Sequence, residues 1–181
     1  MNETKRTPKE RATVFVNALR RIRNDRGKLA ALRRALADNP RVHVDAWPVI
    51  AGLGGDIGQQ AYVAIAALYA SHPEESNTRN FGETCRRIAQ SDAKDIADSF
   101  ERRFRRLLAC DTVEDLISQL RSWIRLAASK RVGVNYESLM NDILWWNRSA
   151  DRTKVEWARS FWPSGQVAPT ETTDTTNTAL A

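Results

Sequence analysis

The chain has 181 residues, 42% of them hydrophobic, which is enough to fold as one domain or two small helical lobes and excludes an unfolded polymer. Lys and Arg number 28 against 22 Asp and Glu, and outside the acidic segment 163–181 the net charge is +8. Arg supplies 22 of the 28 cations and matches phosphate oxygens with its planar guanidinium, so either a polyanionic partner or a codon bias explains this composition.

From the residues at the N-terminus we expect no signal for export. Six of the first 15 residues are charged, where a secretion signal needs an apolar run, and the longest uncharged stretch contains glutamines. The two cysteines provide no disulfide framework. We therefore predict a cytoplasmic protein without a membrane span.

The first two predicted helices begin at recognisable caps. Residues 7–10, Thr-Pro-Lys-Glu, form a capping box with proline at the first helical position, and Asp25 can cap a second helix that Pro40 ends. Arg33 and Arg34 fall off the leucine stripe of the second helix, so we expect both to be exposed. The predicted inward residues are Phe15, Leu19, Ile22, Leu29, Leu32 and Leu36.

A glycine-rich break separates the next two helical segments. A short helical turn is predicted through Trp47, and Asp56 is expected to cap the helix that follows the break. The glycines lack the preceding strand and the spacing of a phosphate-binding loop, which favours a hinge. The predicted inward residues are Ile57, Ala61, Ile65 and Leu68.

Residues 71–82 mix Pro, Ser, Asn and Gly without a helical period, so we predict a lobe boundary there. The expected units are an N-terminal helical lobe at 7–80, a C-terminal helical bundle at 83–162 and a tail at 163–181. The threonine-rich tail is predicted to be disordered because it has little apolar area to bury.

The C-terminal bundle is predicted to start with a short helix through Cys85 and a longer one from Asp92 to Ala109, with Ile96, Phe100, Phe104, Leu107 and Leu108 inward. On a helical wheel, four arginines occupy the whole outer face around Phe104, with Glu101 as the only acid among them. Either the face is simply solvated, or its mutual repulsion is relieved by phosphates. The four are Arg102, Arg103, Arg105 and Arg106.

Three further helices complete the bundle. We predict a helix capped by Asp111 and Glu114 with Arg121 and Arg125 outward, then a turn containing Lys130 and Arg131. Asn135 is expected to cap the next helix and Asp151 to begin the last, which Pro163 ends. The inward residues are Val113, Leu116, Ile117, Leu120, Ile124, Ala127, Leu139, Ile143, Trp146, Val155, Ala158, Phe161 and Trp162. Because no period-two alternation is present, the predicted class is all-α.

No pattern indicates catalysis. The two histidines, His43 and His72, lie in different segments without a ligand at metal-binding spacing, so we expect no metal site. No serine, cysteine or threonine lies in a nucleophile-elbow context, and no cofactor motif is found. The sequence therefore predicts a protein that is not an enzyme and has no cofactor or small-molecule ligand.

Several segments together resemble one family. In order along the chain they are KLAALRRAL, YVAIAALYASH, NFGETCRRIA, the run 104–108, LISQLRSWIRL, GVNYESLMNDILWW and KVEWARSFW. This series is similar to the CasB family, the small subunit of the type I-E CRISPR surveillance complex Cascade. The resemblance spans about residues 25 to 162.

The resemblance implies a non-catalytic protein of two packed helical bundles. Its expected partners are a second copy of itself, the backbone subunits that hold the guide RNA, the large subunit, and the displaced non-target DNA strand. The family's basic surface implies roles for Arg33, Arg34, Arg102, Arg121 and Arg148. Together with the basic residues found by helical position, the candidate nucleic-acid-binding set is Arg33, Arg34, Arg102, Arg103, Arg105, Arg106, Arg121, Arg125, Lys130, Arg131 and Arg148. The chain departs from the family in its threonine-rich tail and in Leu108, where some members carry a base.

Two other functions remain open from the sequence. A helix-turn-helix regulator would also be helical and basic, but it needs two compact helices around a short glycine-containing turn. A helical adaptor for acidic proteins would need exposed apolar anchors, for which Trp145 and Trp157 are the candidates, although both are expected in the core.

Overall fold

The computed structural model describes residues 7–35, 44–91 and 97–163. Over these ranges the protein is all-α, as predicted, and the only strand-like pairing is one isolated bridge between Glu75 and Val134. No helix in these ranges has the length and apolarity needed to cross a bilayer. The helices are α1 (Pro8–Arg21), α2 (Arg26–Arg34), α3 (Trp47–Gly52) after a 3₁₀ turn (Val44–Ala46), α4 (Gln60–Ser71), α5 (Phe81–Gln90), α6 (Ala97–Leu108), α7 (Val113–Lys130) and α8 (Tyr136–Phe161).

The predicted caps of α1, α2 and α8 are confirmed. Thr7 and Glu10 form the reciprocal capping box of α1. Asp25 accepts from the Lys28 amide at 3.0 Å, and Asn135 accepts from the Ser138 amide at 3.0 Å. These caps are local interactions within three residues, so the sequence alone specifies them.

Four of the predicted positions fall outside the described residues. They are the end of α2 at Pro40 with Leu36 inward, and the start of α6 at Asp92 with Ile96 inward.

Two predicted caps are wrong. The Asp56 carboxylate accepts from the Gly58 amide and the Gln59 side chain within the turn, so α4 begins only at Gln60 and Ile57 is 44% exposed. An aspartate side chain can accept hydrogen bonds within its own turn as readily as from the amides at a helix end. Asp56 forms the hydrogen bonds within its turn. The second wrong cap is the pair of Asp111 and Glu114, whose place at the start of α7 is taken by another residue.

Thr112 caps α7 and leaves its acidic neighbours free for contacts with other helices. Its hydroxyl accepts from the Asp115 amide at 3.1 Å. Asp111 instead accepts from Lys154 of α8 at 3.0 Å, and Glu114 accepts from Gln60 of α4 at 2.7 Å. Asp111, Thr112 and Glu114 are all residue types that occur at the start of a helix, so the sequence did not show which of them would be the cap. In the folded protein, residues of other helices bind Asp111 and Glu114, and Thr112 is the cap.

The last two predicted helices form one kinked helix, α8. Ser149 has non-helical backbone angles (φ −148°, ψ 33°) and separates a first arm, 136–148, from a second arm, 150–161. Trp157 Nε1 donates to Asp142 Oδ2 at 2.8 Å, although 15 residues of straight helix would span about 22 Å. The kink therefore brings the two arms of α8 side by side.

The kink also changes which residues of the second arm face inward. Trp157 and Thr153 are buried, whereas Val155 is 48% exposed and Trp162 is 40% exposed, so the prediction of Val155 and Trp162 as core residues is wrong. A pattern counted from Asp151 has the wrong rotational phase, because the second arm is positioned by its contact with the first.

Aromatic packing joins α6, α7 and α8. Phe104 is fully buried, stacks on Phe161 at 4.0 Å between ring centroids and meets Trp123 of α7 edge-on at 6.4 Å. The predicted stripes omitted Trp123, which is 1% exposed. The other predicted core residues within the described ranges are buried, except Leu108, Ile117 and Ala158, which are half-buried.

Contacts also cross the predicted lobe boundary. α1 and α4 pack on α8, and the Tyr136 hydroxyl at the start of α8 donates to the His72 carbonyl at the end of α4. His72 Nε2 in turn donates to the Val132 carbonyl at 2.8 Å. The division at residues 71–82 stays a prediction, and the tail at 164–181 lies outside the described residues.

Candidate nucleic-acid interface

The outer face of α6 is positively charged. Arg102, Arg103, Arg105 and Arg106 are exposed, whereas Phe104 is fully buried. We refer to these four arginines as the arginine cluster. The helix forms this face because its buried residues are spaced to face α7 and α8, which leaves the intervening arginines outward.

Within the described residues, most of the charge of the arginine cluster has no counter-charge. Arg105 pairs with Glu101 one turn earlier, and its guanidinium lies 6.0 Å from the ring centroid of Trp162. Arg102, Arg103 and Arg106 have no ionic or hydrogen-bonding side-chain partner within the described part of the chain. Three like charges within about one turn repel one another, so an external anion would be stabilised there.

Further basic residues lie at the amino-terminal end of α6. Lys130 Nζ is 5.5 Å from the centroid of the Phe100 ring, which places the end of α7 beside the start of α6. Arg131 follows in a left-handed conformation and is exposed. Arg33 Nε donates to the carbonyl of Ala70, close to the contact between α4 and the segment after Arg131. Lys130 and Arg131 therefore lie near the start of α6, whereas Arg33 lies at the end of α4.

Other predicted site residues are not brought to this surface. Arg121 and Arg125 lie about 160° around α7 from Trp123, which packs on α6, so they belong to a different face of α7. Arg125 is exposed, whereas Arg121 is half-buried and engaged in a contact. Arg34 pairs with Asp45 at 2.9 Å.

Arg148 also lies apart, at the end of the first arm of α8. Its guanidinium is 5.6 Å from the ring centroid of Trp145. The kink at Ser149 follows immediately, so the bend of α8 sets the position of Arg148. Sequence reasoning could not place it, because the kink is not visible in the helical pattern.

A polar groove of about 790 Å³ lies between α1, the segment 75–80 and α8. Its Arg20 donates to both carboxylate oxygens of Glu75 at 2.6 and 2.9 Å and pairs with Glu137 at 2.7 Å. The hydrogen bonds to these two carboxylates raise the pKa of Arg20 further above its ordinary value. Glu156, Lys9 and Arg79 also line the groove, so its charges are mixed, in contrast to the cationic outer face of α6.

The histidines, cysteines and acids of the described residues were also candidates for metal binding or for nucleophilic chemistry. No cluster of three metal-ligating side chains occurs in these ranges. Cys85 and Cys110 are buried, and burial raises the pKa of both thiols, which keeps them protonated and unreactive. His43 lies outside the described residues, and His72 is held by the Val132 carbonyl.

Comparisons with known proteins agree on one family. The sequence model of the family described as CRISPR-associated protein Cse2 matches residues 28–162. A CRISPR-associated protein Cse2 from Thermus thermophilus is 29% identical over 159 residues, which cover 83% of this chain and 89% of the relative. The crystal structure of CasB from Thermus thermophilus has a TM-score of 0.67 at 26% identity, with 87% of this chain and 99% of that chain covered. CasB from Thermobifida fusca shares the fold, with a TM-score of 0.64 at 21% identity over 86% and 98% of the two chains.

Proposed function

Because this chain belongs to the CRISPR-associated Cse2 family, we propose that it is a non-catalytic small subunit of Cascade, the type I-E surveillance complex guided by CRISPR RNA. In this role it binds the phosphate backbone of the displaced non-target DNA strand and stabilises the R-loop in the cytoplasm. Its partners are the backbone and large subunits, the guide RNA they hold and a second copy of itself.

The observation that carries this proposal is the uncompensated charge on α6. Arg102, Arg103 and Arg106 are exposed without a carboxylate partner in the described structure, whereas Arg87 and Arg152 elsewhere each pair with a glutamate one turn away. Phosphates would supply the missing counter-charge, and binding would release the counterions condensed on DNA. No base-reading arrangement accompanies these arginines in the described ranges, so the binding is independent of sequence.

The first prediction concerns salt dependence. The isolated protein should bind single-stranded DNA weakly, with an affinity that falls steeply as salt rises. Replacing Arg102 and Arg106 with Ala should reduce the slope of log affinity against log salt by about 1.4, because each lost phosphate contact contributes about 0.7. Gel-shift titrations between low and moderate ionic strength measure both quantities.

A matched control is available in two arginines that are already paired. The variant Arg87→Ala/Arg152→Ala loses the same net charge, yet these side chains bond to Glu83 and Glu156. Its salt slope should therefore remain close to that of the unmodified protein. Equal slopes for all three proteins, or binding that does not respond to salt, would contradict phosphate contact by the arginine cluster.

The adaptor alternative has little support in the structure. Of its two candidate anchors, Trp157 is fully buried against Trp146 and Phe81, and Trp145 is half-buried beside Arg148. Neither tryptophan offers the open apolar surface that an adaptor would need. The helix-turn-helix alternative is also disfavoured, because the turn containing Gly133 joins helices of 18 and 26 residues that pack into the core.

A further inference from the structure

Trp162 is an exposed aromatic residue at the end of α8. Trp162 directly follows Phe161, the last residue of the second arm, and it is 40% exposed. Within the described ranges, Trp47 is the only other aromatic residue with so large an exposed fraction. An indole left in water forgoes a large part of the burial energy that a tryptophan usually gains. An indole this exposed is therefore available to bind a ligand or a partner.

The core holds Trp162 in a fixed position without covering it. Phe104 and Phe161 lie 5.3 Å and 5.0 Å from it between ring centroids, at interplanar angles of 74° and 79°. These near-perpendicular contacts anchor the indole, and neither phenyl ring stacks parallel to it. A partly open aromatic ring that already packs on one side needs little further ordering to receive a flat ligand.

The charges around Trp162 indicate what kind of ligand it would bind. The Arg105 guanidinium lies 6.0 Å from the indole centroid, and Arg106 and Arg102 are neighbours of Arg105 on the same exposed face of α6. An apolar protein segment would gain nothing from these cations, whereas an unpaired nucleotide carries both a flat base and a phosphate. Aromatic side chains beside a positively charged surface are the usual arrangement for binding single-stranded nucleic acid.

We propose that Trp162 is a stacking platform for an unpaired base of the DNA strand whose phosphates the arginine cluster binds. The inference rests on the proposed function and extends it, since it adds a base contact to a surface otherwise limited to phosphates. Stacking does not distinguish one base from another, so the contact is compatible with binding that is independent of sequence.

The test compares DNA with and without bases. Fluorescence anisotropy would measure the binding of a single-stranded oligonucleotide and of an abasic oligonucleotide with the same number of phosphates. The unmodified protein should bind the normal strand about 5- to 150-fold more tightly, the range expected for one stacked base. Trp162→Leu should remove most of this preference, and Trp162→Phe should retain part of it.

Trp47 provides a control of equal exposure. It lies on α3, outside the arginine cluster, and is also 40% exposed. Trp47→Leu should leave the preference for the normal strand unchanged. If Trp162→Leu is too unstable to measure, the comparison of the two strands in the unmodified protein and in Trp162→Phe still decides the question.

The outcomes separate this inference from the proposed function. If the unmodified protein binds both strands equally and with a steep salt dependence, phosphate binding stands and stacking on Trp162 is refuted. Stacking is likewise refuted if Trp162→Leu keeps the full preference for the normal strand. If neither strand binds in a salt-dependent way, the proposed function itself fails, and the inference fails with it.

Discussion

Asp142 is a half-buried carboxylate between the two arms of α8. Burial raises its pKa from 3.8 to about 7, the negative charge of nearby Glu156 raises it as well, and the hydrogen bond from Trp157 opposes the shift. In the unfolded chain the pKa of this group is about 3.9. The folded protein therefore keeps a proton on Asp142 at pH values where the unfolded chain has lost it.

The raised pKa of Asp142 makes the free energy of unfolding depend on pH. Because the folded state binds more protons between about pH 4 and pH 7, the free energy of unfolding should fall as pH rises through this range and level off above it. Asp142→Asn removes the titration, and its amide oxygen can still accept from Trp157. Between pH 5 and pH 8 the variant should lose about 2 to 3 kcal/mol less stability than the unmodified protein.

Urea unfolding at the two pH values tests this second prediction. Asp151→Asn is the control, because it removes an exposed carboxylate from the same helix by the same substitution. Identical pH dependence in the unmodified protein and Asp142→Asn would show that Asp142 ionises normally in the folded state.

At the scale of the helices, α5 and α8 approach each other closely at Gly82. A Cβ atom added at Gly82 would lie 2.1 Å from the Trp157 carbonyl oxygen and 2.6 Å from its Cα. Both are backbone atoms that cannot move aside as a flexible side chain would. Next to this contact, Asn80 caps α5 and also donates from Nδ2 to the Glu156 carbonyl at 3.2 Å.

The third prediction is that Gly82→Ala destabilises the protein by about 3 kcal/mol, because the added methyl forces α5 away from α8. Gly52→Ala is the matched control. A Cβ at Gly52 meets nothing within 4 Å, so this substitution should be neutral or stabilise the helix by up to about 1 kcal/mol. Thermal and urea unfolding measure both, and equal stability of the two variants would contradict the close approach.

At the scale of the whole molecule, folding and DNA binding should be separable. The arginine cluster lies outside the core formed by Phe104, Trp123 and Phe161. Arg102→Ala/Arg106→Ala should therefore fold normally and still join the complex. Phe104→Ala removes a ring that stacks at 4.0 Å on Phe161, and should cost about 3 to 5 kcal/mol.

The fourth prediction follows from this separation. A complex containing Arg102→Ala/Arg106→Ala should hold its target in the open, locked state about ten- to thirty-fold less well, since R-loop formation is a near-balanced exchange that modest backbone contacts can tip. Complex containing Phe104→Ala should not assemble. Size-exclusion chromatography and strand-opening assays on the reconstituted complex give the two readouts. Loss of assembly with normal DNA capture by any complex that forms would instead assign the arginine cluster to a protein interface.

The sequence by itself determined the all-α class, the caps at Thr7, Asp25 and Asn135, and the outward position of the arginine cluster. Each of these features depends on residues within about one helical turn, where spacing and side-chain type are sufficient. The family resemblance could also be seen at this level, because it depends on the order of such segments.

Only the tertiary structure decided which arginines are neutralised, where α8 bends and which tryptophans are exposed. Arg34 is neutralised by Asp45, Trp157 is buried against Phe81 and Trp146, and Trp162 is exposed beside Arg105. In each case the deciding partner lies on another helix or on the other arm of a bent one. A helical period describes the face of one helix, but it does not record what that face meets after folding.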